Sequence, residues 1–482
     1  MIDPATAPAR SGAWSPGRKL LTVGLVSMVT AVAFEGLAVP TILPATLDEL
    51  YGLELYGWAF SGFWLSNLVG IALAGAEADR RGPLIPFVAG TAAFAGGLLV
   101  AGLAPSMEWV VAGRVVQGVG AGSIAAITYV AIARGYTPAA QPRMIAVISS
   151  AWVLPGLVGP ALAGWISQEL DWRWAFIGLA PLLPVAAAAV VGPLARLSAP
   201  ARERSTRGRA AEPIRDALQL ALGAGAVLAA TTWGALLPGL ISAAAGLLLI
   251  ARPLRRLMPD GDLLARTPRG AAVATLALLS VAFFGVEAFI PLAVASVRGA
   301  GTVAGGLALT AAAVTWAAGS WLQARLATRR SRRTVTVAGL ILVGAGIGLV
   351  ATVSIFAVPP VLTAAAAWAV GGLGMGLAYS TTTLAVIESA SPGREGAASA
   401  SVQVANTLGI AVGTGLAGGV VALSARGPLG LAPGILIADL LMLITLVLAI
   451  VTGRRMSAAV PIAHDQEHTG PAPGDHGPAL SP

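Results

Sequence analysis

Roughly fourteen stretches of about 20 mainly apolar residues run along this chain, and each is long enough to cross the hydrocarbon layer of a membrane as a helix. Their limits are about 20–44, 57–77, 84–104, 108–134, 142–168, 172–196, 214–233, 235–251, 270–296, 302–326, 334–356, 359–387, 396–424 and 430–452. Composition agrees. Of 482 residues, 56% are hydrophobic and 11% charged, with a mean hydropathy of +0.81, whereas an ordinary soluble domain carries about a quarter charged residues. A soluble globular enzyme is excluded. The chain has no Cys, and its three His (His464, His468, His476) all lie in the polar tail, which removes disulfides, thiolate metal sites and Ser-His or Cys-His catalysis. The first apolar run follows Arg18 and Lys19 and continues for a full span without a short core and cleavage site, so it is expected to remain in the membrane.

The formal net charge is +8, and its distribution decides what it means. With the N-terminus in the cytoplasm, Arg80, Arg81, Arg134, Arg143, the arginines of 202–215 and 252–269, those of 329–333, Arg454 and Arg455 all fall on that side. Asp48, Glu49, Glu54, Glu169 and Asp171 gather on the other side, with Arg298 and Arg426. This positive-inside bias places both termini in the cytoplasm and the protein in the inner (plasma) membrane, its basic surplus at the membrane face rather than on nucleic acid. Residues 1–17 and 456–482 are expected to be disordered.

A shift of 254 residues superimposes QGVGAG (Gln117 to Gly122) on GGLGMG (Gly371 to Gly376), Pro138 on Pro392, Gly159 on Gly413 and Gly164 on Gly418. The chain therefore reads as a duplication in parallel orientation. The expected fold is all-α: a six-helix bundle over 18–196, basic linkers with two additional helices over 197–269, and a second six-helix bundle over 270–455, with a central cleft between the bundles.

Four motifs in order carry a family resemblance. The loop after the second span reads GAEADRRGPL, with Gly75, Asp79, Arg80 and Gly82 at the positions of a Gly-x-x-x-Asp-Arg-x-Gly signature, although Pro83 and Leu84 stand where a basic pair usually closes it. The fourth span reads RVVQGVGAG, the fifth AWVLPGLVGPALAG with Pro155, Gly156, Gly159, Pro160 and Gly164, and WRWAF precedes the sixth. The chain thus resembles the major facilitator superfamily, and specifically its fourteen-span drug/proton antiporter branch, over roughly residues 19–455. The resemblance implies that the Asp79 loop is a cytoplasmic latch for one conformer, and that the fifth span seals the two halves and favours exchange over co-transport. In the second half Thr328 replaces the latch carboxylate, so the latch is expected on one side only. A nucleotide-binding reading of GVGAG fails because no strand precedes it.

Charges inside the apolar runs are the remaining signal. Glu35, Glu287, Asp439 and Arg114 each sit in one, at a cost of about 2.5–3.5 kcal/mol for a charge at mid-membrane. Counted from the span ends, Glu35 and Glu287 lie roughly 20–25 Å from the cytoplasmic face. A carboxyl in a poorly hydrated cleft can exchange protons near neutral pH, and a nearby guanidinium opposes its protonation. Glu35 and Glu287 are thus candidate proton-coupling groups with Arg114 as modulator. A static Glu35–Arg114 ion pair is the plain alternative. Asn67, Gln117, Tyr129, Trp152, Tyr379, Gln403 and Asn406 are candidate cavity residues or interhelical hydrogen-bonding groups.

The expectation is a proton-driven efflux antiporter for amphipathic or lipophilic small molecules, cationic ones included. It would use alternating access, need no cofactor or metal beyond the proton gradient, and act as a monomer. Export of a lipid or cell-envelope precursor, and a non-transporting receptor or assembly subunit of the same fold, stay open beside it.

Overall fold

The computed structural model describes residues 18–137, 140–197, 211–232, 236–257, 265–327, 329–356, 358–390 and 395–458. Residues 1–17, the tail with its three His, much of the basic linkers, Thr328, and the repeat pair Pro138 and Pro392 lie outside the described residues. Every regular element among the described residues is helical. The first group comprises α1 (Lys19–Leu50), α2 (Tyr56–Arg81), α3 (Leu84–Gly102), α4 (Met107–Gly135), α5 (Gln141–Ser150), α6 (Val153–Glu169), α7 (Arg173–Ile177) and α8 (Leu182–Leu197). A hairpin of α9 (Ala211–Thr232) and α10 (Leu236–Leu257) follows. The second group comprises α11 (Pro268–Glu287), α12 (Ile290–Leu292), α13 (Thr302–Leu326), α14 (Arg332–Ile355), α15 (Pro360–Glu388), α16 (Glu395–Arg426) and α17 (Leu431–Gly453). Taken alone or end to end, these helices make fourteen segments long and apolar enough to cross a membrane.

Three spans that read as continuous in sequence are broken, and each break lies beside proline. In the fifth, Pro155 has no N–H to give the Ala151 carbonyl, the chain turns tightly at Ala151–Trp152 between α5 and α6, and the Thr30 hydroxyl donates to that carbonyl instead (3.3 Å). In the ninth, Pro291 cannot bond the Glu287 carbonyl, so α11 ends at Glu287, α12 restarts at Ile290, and a π-helical turn covers Ala293–Val297. Pro181 and Pro184 accompany the break between α7 and α8.

Glycine explains how the helices come together, because in lipid the attraction between helices is packing itself and small residues let backbones approach. The duplication is visible atom by atom. A Cβ on Gly118 would lie 2.2 Å from the Phe63 carbonyl oxygen of α2, and one on Gly372 would lie 2.2 Å from the Ala312 carbonyl oxygen of α13. Gly120 faces Phe94 and Gly90 of α3, and its counterpart Gly374 faces Gly339 and Val343 of α14. Gly122 meets Asn67 of α2 as Gly376 meets Trp316 of α13. Gly159 faces Phe34 of α1, and its counterpart Gly413 faces Val281 of α11. The last pair crosses between halves. Gly164 of α6 packs on Thr302 and Val303 of α13, and Gly418 of α16 packs on Gly57 of α2. The two halves are therefore the same bundle used twice and joined by reciprocal packing, α6 with α13 and α16 with α2.

Substituting Gly120 or Gly374 by Val forces a side chain into backbone and should cost about 1–3 kcal/mol or more. The thermal stability of the detergent-purified protein should fall by a similar amount for both. Gly75→Ala and Gly348→Ala, where nothing lies within 4 Å of the added Cβ, should leave it unchanged.

Candidate functional site

The embedded charges sit on four different helices, and the structure brings two of them together. Glu35 of α1 and Arg114 of α4 form an ion pair through Oε1 and Nη1, with exposures of 1% and 2%. Arg114 is held from every side. Its Nε donates to the Ala59 carbonyl of α2 (3.0 Å), its Nη1 donates to Gln117 Oε1 (2.7 Å), and its guanidinium lies 4.2 Å from the centroid of the Phe63 ring. A charge pair removed from water is tolerated when such further hydrogen bonds and a ring face accompany it. In this conformation Glu35 thus points into the first bundle, in the arrangement of the plain ion-pair alternative.

Glu287 is placed differently. It is the last residue of α11, at the break that Pro291 imposes, and it is half-buried. Trp368 of α15 donates its indole N–H to Oε2 (3.1 Å). Among the described residues no Lys or Arg forms an ion pair with it, and Arg114 remains with Glu35. Around it stands a chain of rings of which Tyr379 alone is among the sequence candidates. Phe283 stacks on Trp368 at 4.6 Å between centroids, Trp316 meets Phe283 at 5.7 Å and Phe284 at 6.2 Å, and Tyr379 meets Trp316 at 5.7 Å. Phe284, Trp316 and Tyr379 keep part of their surface exposed, while Phe283 and Trp368 are buried. The signal in sequence is one helical turn: Phe283 and Phe284 precede Glu287 by four and three residues, so they share its side of α11.

The other candidates divide. Asn67 (6% exposed) and Gln117 (fully buried) do not line a cavity: Asn67 lies in the α2–α4 contact formed around Gly122, and Gln117 is a partner of Arg114. The close approach that Gly118 and Gly122 permit encloses both between helices, in keeping with the interhelical alternative that the sequence leaves open for them. Tyr379 and Asn406 are half-buried, and Asn406 accepts a hydrogen bond from Ser280 (2.9 Å). Tyr129, Trp152 and Gln403 are exposed. Asp439 of α17 is buried at 2%, with Oδ2 lacking a hydrogen-bond partner.

The Gly75–Gly82 segment, expected as a loop, is the last two turns of α2 up to Arg81 with Gly82 as its cap, and it shows local pairing within the first half. Arg134 at the end of α4 reaches Asp79 Oδ1 (3.2 Å) and the Ala78 carbonyl (3.4 Å), while Arg80 and Arg81 pair with Glu77. The Asp79 side chain is 77% exposed. Gly82 has φ +88° and ends α2 in a conformation that side chains disfavour. In the fifth span, Pro155, Gly156, Gly159, Pro160 and Gly164 form the buried face of α6. Gly159 faces Phe34 of α1, Gly156 faces Ala313 of α13, and Pro160 fills the space left by Gly306 of α13. The Thr302 hydroxyl donates to the Gly164 carbonyl (3.1 Å).

The contacts between the halves lie towards the ends remote from the chain termini. Tyr56 donates to the Ala288 carbonyl (3.3 Å) and its ring meets Phe289 at 5.1 Å. Ser61 donates to the Ala411 carbonyl (2.8 Å), and Arg426 pairs with Glu54 (3.5 Å). WRWAF stabilises the same end: Trp172 and Arg173 both donate to Glu49 Oε2, at 2.8 and 2.7 Å.

Removing one partner of the buried pair leaves the other charge uncompensated, which should cost about 3–5 kcal/mol. Glu35→Gln and Arg114→Met should each lower the melting temperature strongly, and the double variant should regain much of the loss. Equal losses that simply add would show the two side chains to be uncoupled.

Comparison with known proteins gives these observations a family. Residues 23–414 match the family model of the Major Facilitator Superfamily. The chain is 28% identical over 415 residues to a probable multidrug-efflux transporter of Mycobacterium tuberculosis, covering 83% of this chain and 86% of that one. It is 24% identical over 416 residues to the multidrug transporter protein MdtP of Bacillus subtilis, covering 84% and 75%. Among solved structures, a bacterial homolog of the human lysosomal transporter Spinster, in an inward-facing and occupied conformation, superimposes with a TM-score of 0.61 at 14% identity, over 91% of this chain and 96% of that one. An auto-inhibited POT family peptide transporter does so with 0.61 at 15% identity, over 90% and 95%. The chain belongs to the Major Facilitator Superfamily, a family of membrane transporters and not of enzymes.

Proposed function

We propose that this protein is a drug efflux transporter that exchanges protons for amphipathic or lipophilic molecules, cationic ones included, by rocking two bundles, 18–196 and 270–455, about the cleft between them. The relatives named multidrug transporters support the first part of that reading. The observation that carries the rest is Glu287: a half-buried carboxyl at a helix break, without an ion-pair partner among the described residues, bonded to Trp368 of a ring cluster whose Phe284, Trp316 and Tyr379 are only partly buried. A carboxylate next to aromatic faces attracts an organic cation twice over, by charge and by the ring quadrupoles. Protonation removes the first attraction, so a proton and a cationic cargo compete for one group. That competition is what exchange requires.

The first half acts through the ion pair. Glu35 takes a proton when it and Arg114 separate, and the Gln117 and Ala59 oxygens, which already accept from the guanidinium, keep Arg114 held after the pair opens. Arg114 thereby links protonation to the packing of α1, α2 and α4. The termini and the arginine-rich loops face the cytoplasm of the cell in which the protein lies in the inner membrane, so the seam closed by Tyr56, Ser61 and Gly164 is the outer one and the conformation is open inward. Asp79, exposed here, engages as the cytoplasmic latch when the inner side closes. The α6 face from Pro155 to Gly164 keeps the halves sealed during exchange. The driving force is the proton gradient, no cofactor takes part, and the transporter works as a monomer.

In sealed proteoliposomes, accumulation of a lipophilic cation such as tetraphenylphosphonium should follow an imposed pH gradient. Glu287→Gln should abolish the dependence, and Trp316→Ala should raise KM about tenfold, the ratio that about 1.4 kcal/mol of cation–ring attraction gives. Gradient dependence that survives unchanged in both Glu287→Gln and Glu35→Gln would falsify the coupling.

A further inference from the structure

The α9–α10 hairpin has no counterpart in either half of the repeat, and its packing is lopsided. Its helices hold each other through Gly223 and Gly246, where a Cβ on Gly246 would lie 2.4 Å from the Gly223 carbonyl oxygen, and through Ser242, which donates to the Ala226 carbonyl (2.7 Å). Beyond that pairing, α9 packs on α2 and on α16, that is, on one helix of each half. Leu228 (1% exposed) and Ala224 (1%) join Leu65 of α2 and Ala411 of α16 in one buried cluster, with Trp58 of α2 and Leu416 of α16 packed against it.

The fit against α16 is keyed. A Cβ on Gly415 would lie 2.4 Å from Leu228 Cδ1, and one on Gly419 would lie 2.1 Å from Thr231 Oγ1. Two α9 side chains therefore occupy two glycine notches one turn apart, at the level where α16 meets α2 through Gly418 on Gly57 and Ser61 on Ala411. The same Gly415 notch also borders Ser61: its Cβ would lie 2.7 Å from Ser61 Oγ.

We infer that the inserted hairpin is a brace on the outer seam: α9, keyed into Gly415 and Gly419 of α16 while resting on Trp58 and Leu65 of α2, favours the conformer in which that seam is closed. The inference rests on the rocking of two halves proposed above. When the outer ends of α2 and α16 separate, α9 cannot stay packed on both. It must leave either the two notches or the α2 face, and the packing energy forfeited there disfavours the outward-open state alone.

The absence of Cys from the chain makes the test direct. Thr41 of α1 is fully buried, lies beside Gly306 of α13 at the other seam, and its hydroxyl has no hydrogen-bond partner to lose. Thr41→Cys thus reports opening at a site remote from the hairpin. Its labelling by a membrane-impermeant maleimide, added on the side opposite the termini, is compared in the full-length protein with and without Leu228→Ala/Thr231→Ala. The brace predicts faster labelling by about tenfold, the equilibrium shift that about 1.4 kcal/mol of differential packing gives. Gly419→Ala, which drives a methyl into Thr231, should also raise the rate, and adding Thr231→Gly should restore it. Such rescue distinguishes a released brace from general loosening. Rates within twofold of the parent in both the emptied and the overfilled variants overturn the brace while leaving rocking intact. A Thr41→Cys that no condition renders reactive, imposed pH gradients included, overturns the rocking on which the brace depends, and the brace with it.

Discussion

Hydrocarbon offers a backbone no hydrogen bonds, so every N–H and C=O that leaves a helix inside the membrane must find a partner in the protein. This one constraint explains why the chain is helical throughout its described spans and why its few breaks are where they are. At Pro155 the freed Ala151 carbonyl is taken by Thr30, and within the break between α11 and α12 the Ala288 carbonyl accepts from Tyr56. The second of these bonds crosses from one half to the other. Irregular backbone thus occurs where a neighbouring helix is placed to satisfy it, and the break after Glu287 coincides with a surface on which the halves meet.

Glycine decides how closely those surfaces approach. The same three glycines of the repeat, Gly118, Gly120 and Gly122 in one half and Gly372, Gly374 and Gly376 in the other, seat α4 and α15 against their neighbours. A further pair, Gly164 and Gly418, has the same register but a different partner, because it faces the opposite half. One sequence pattern therefore builds both the interior of each bundle and the joint between bundles. The hairpin stands outside this symmetry, and it packs by the same means, with glycine notches on α16 receiving side chains from α9.

The charges break the symmetry. Glu35 and Glu287 are nearly equivalent by repeat position, yet one is neutralised by Arg114 within a bundle while the other meets an indole N–H and a group of rings. The difference lies in their neighbours: α4 carries Arg114 and Gln117 where α15 carries Trp368 and Gly371 at the corresponding positions. A duplicated scaffold thus carries unlike charge environments in its two halves.

Number of spans, duplication and the presence of carboxyls within apolar spans were all legible in the sequence, because each depends on composition and spacing along one chain. The Phe283–Glu287 turn was also there to be read. The aromatic group it belongs to was not, since Trp316, Trp368 and Tyr379 come from two other helices. Nor could spacing tell that Asn67 and Gln117 are enclosed while Tyr379 is only partly buried. Periodicity assigns a residue to a side of its own helix, but which helix lies across from it is set by three-dimensional packing. That packing alone decided that Arg114 goes to Glu35, that Glu287 meets rings rather than an arginine, and that α9 rests on both halves.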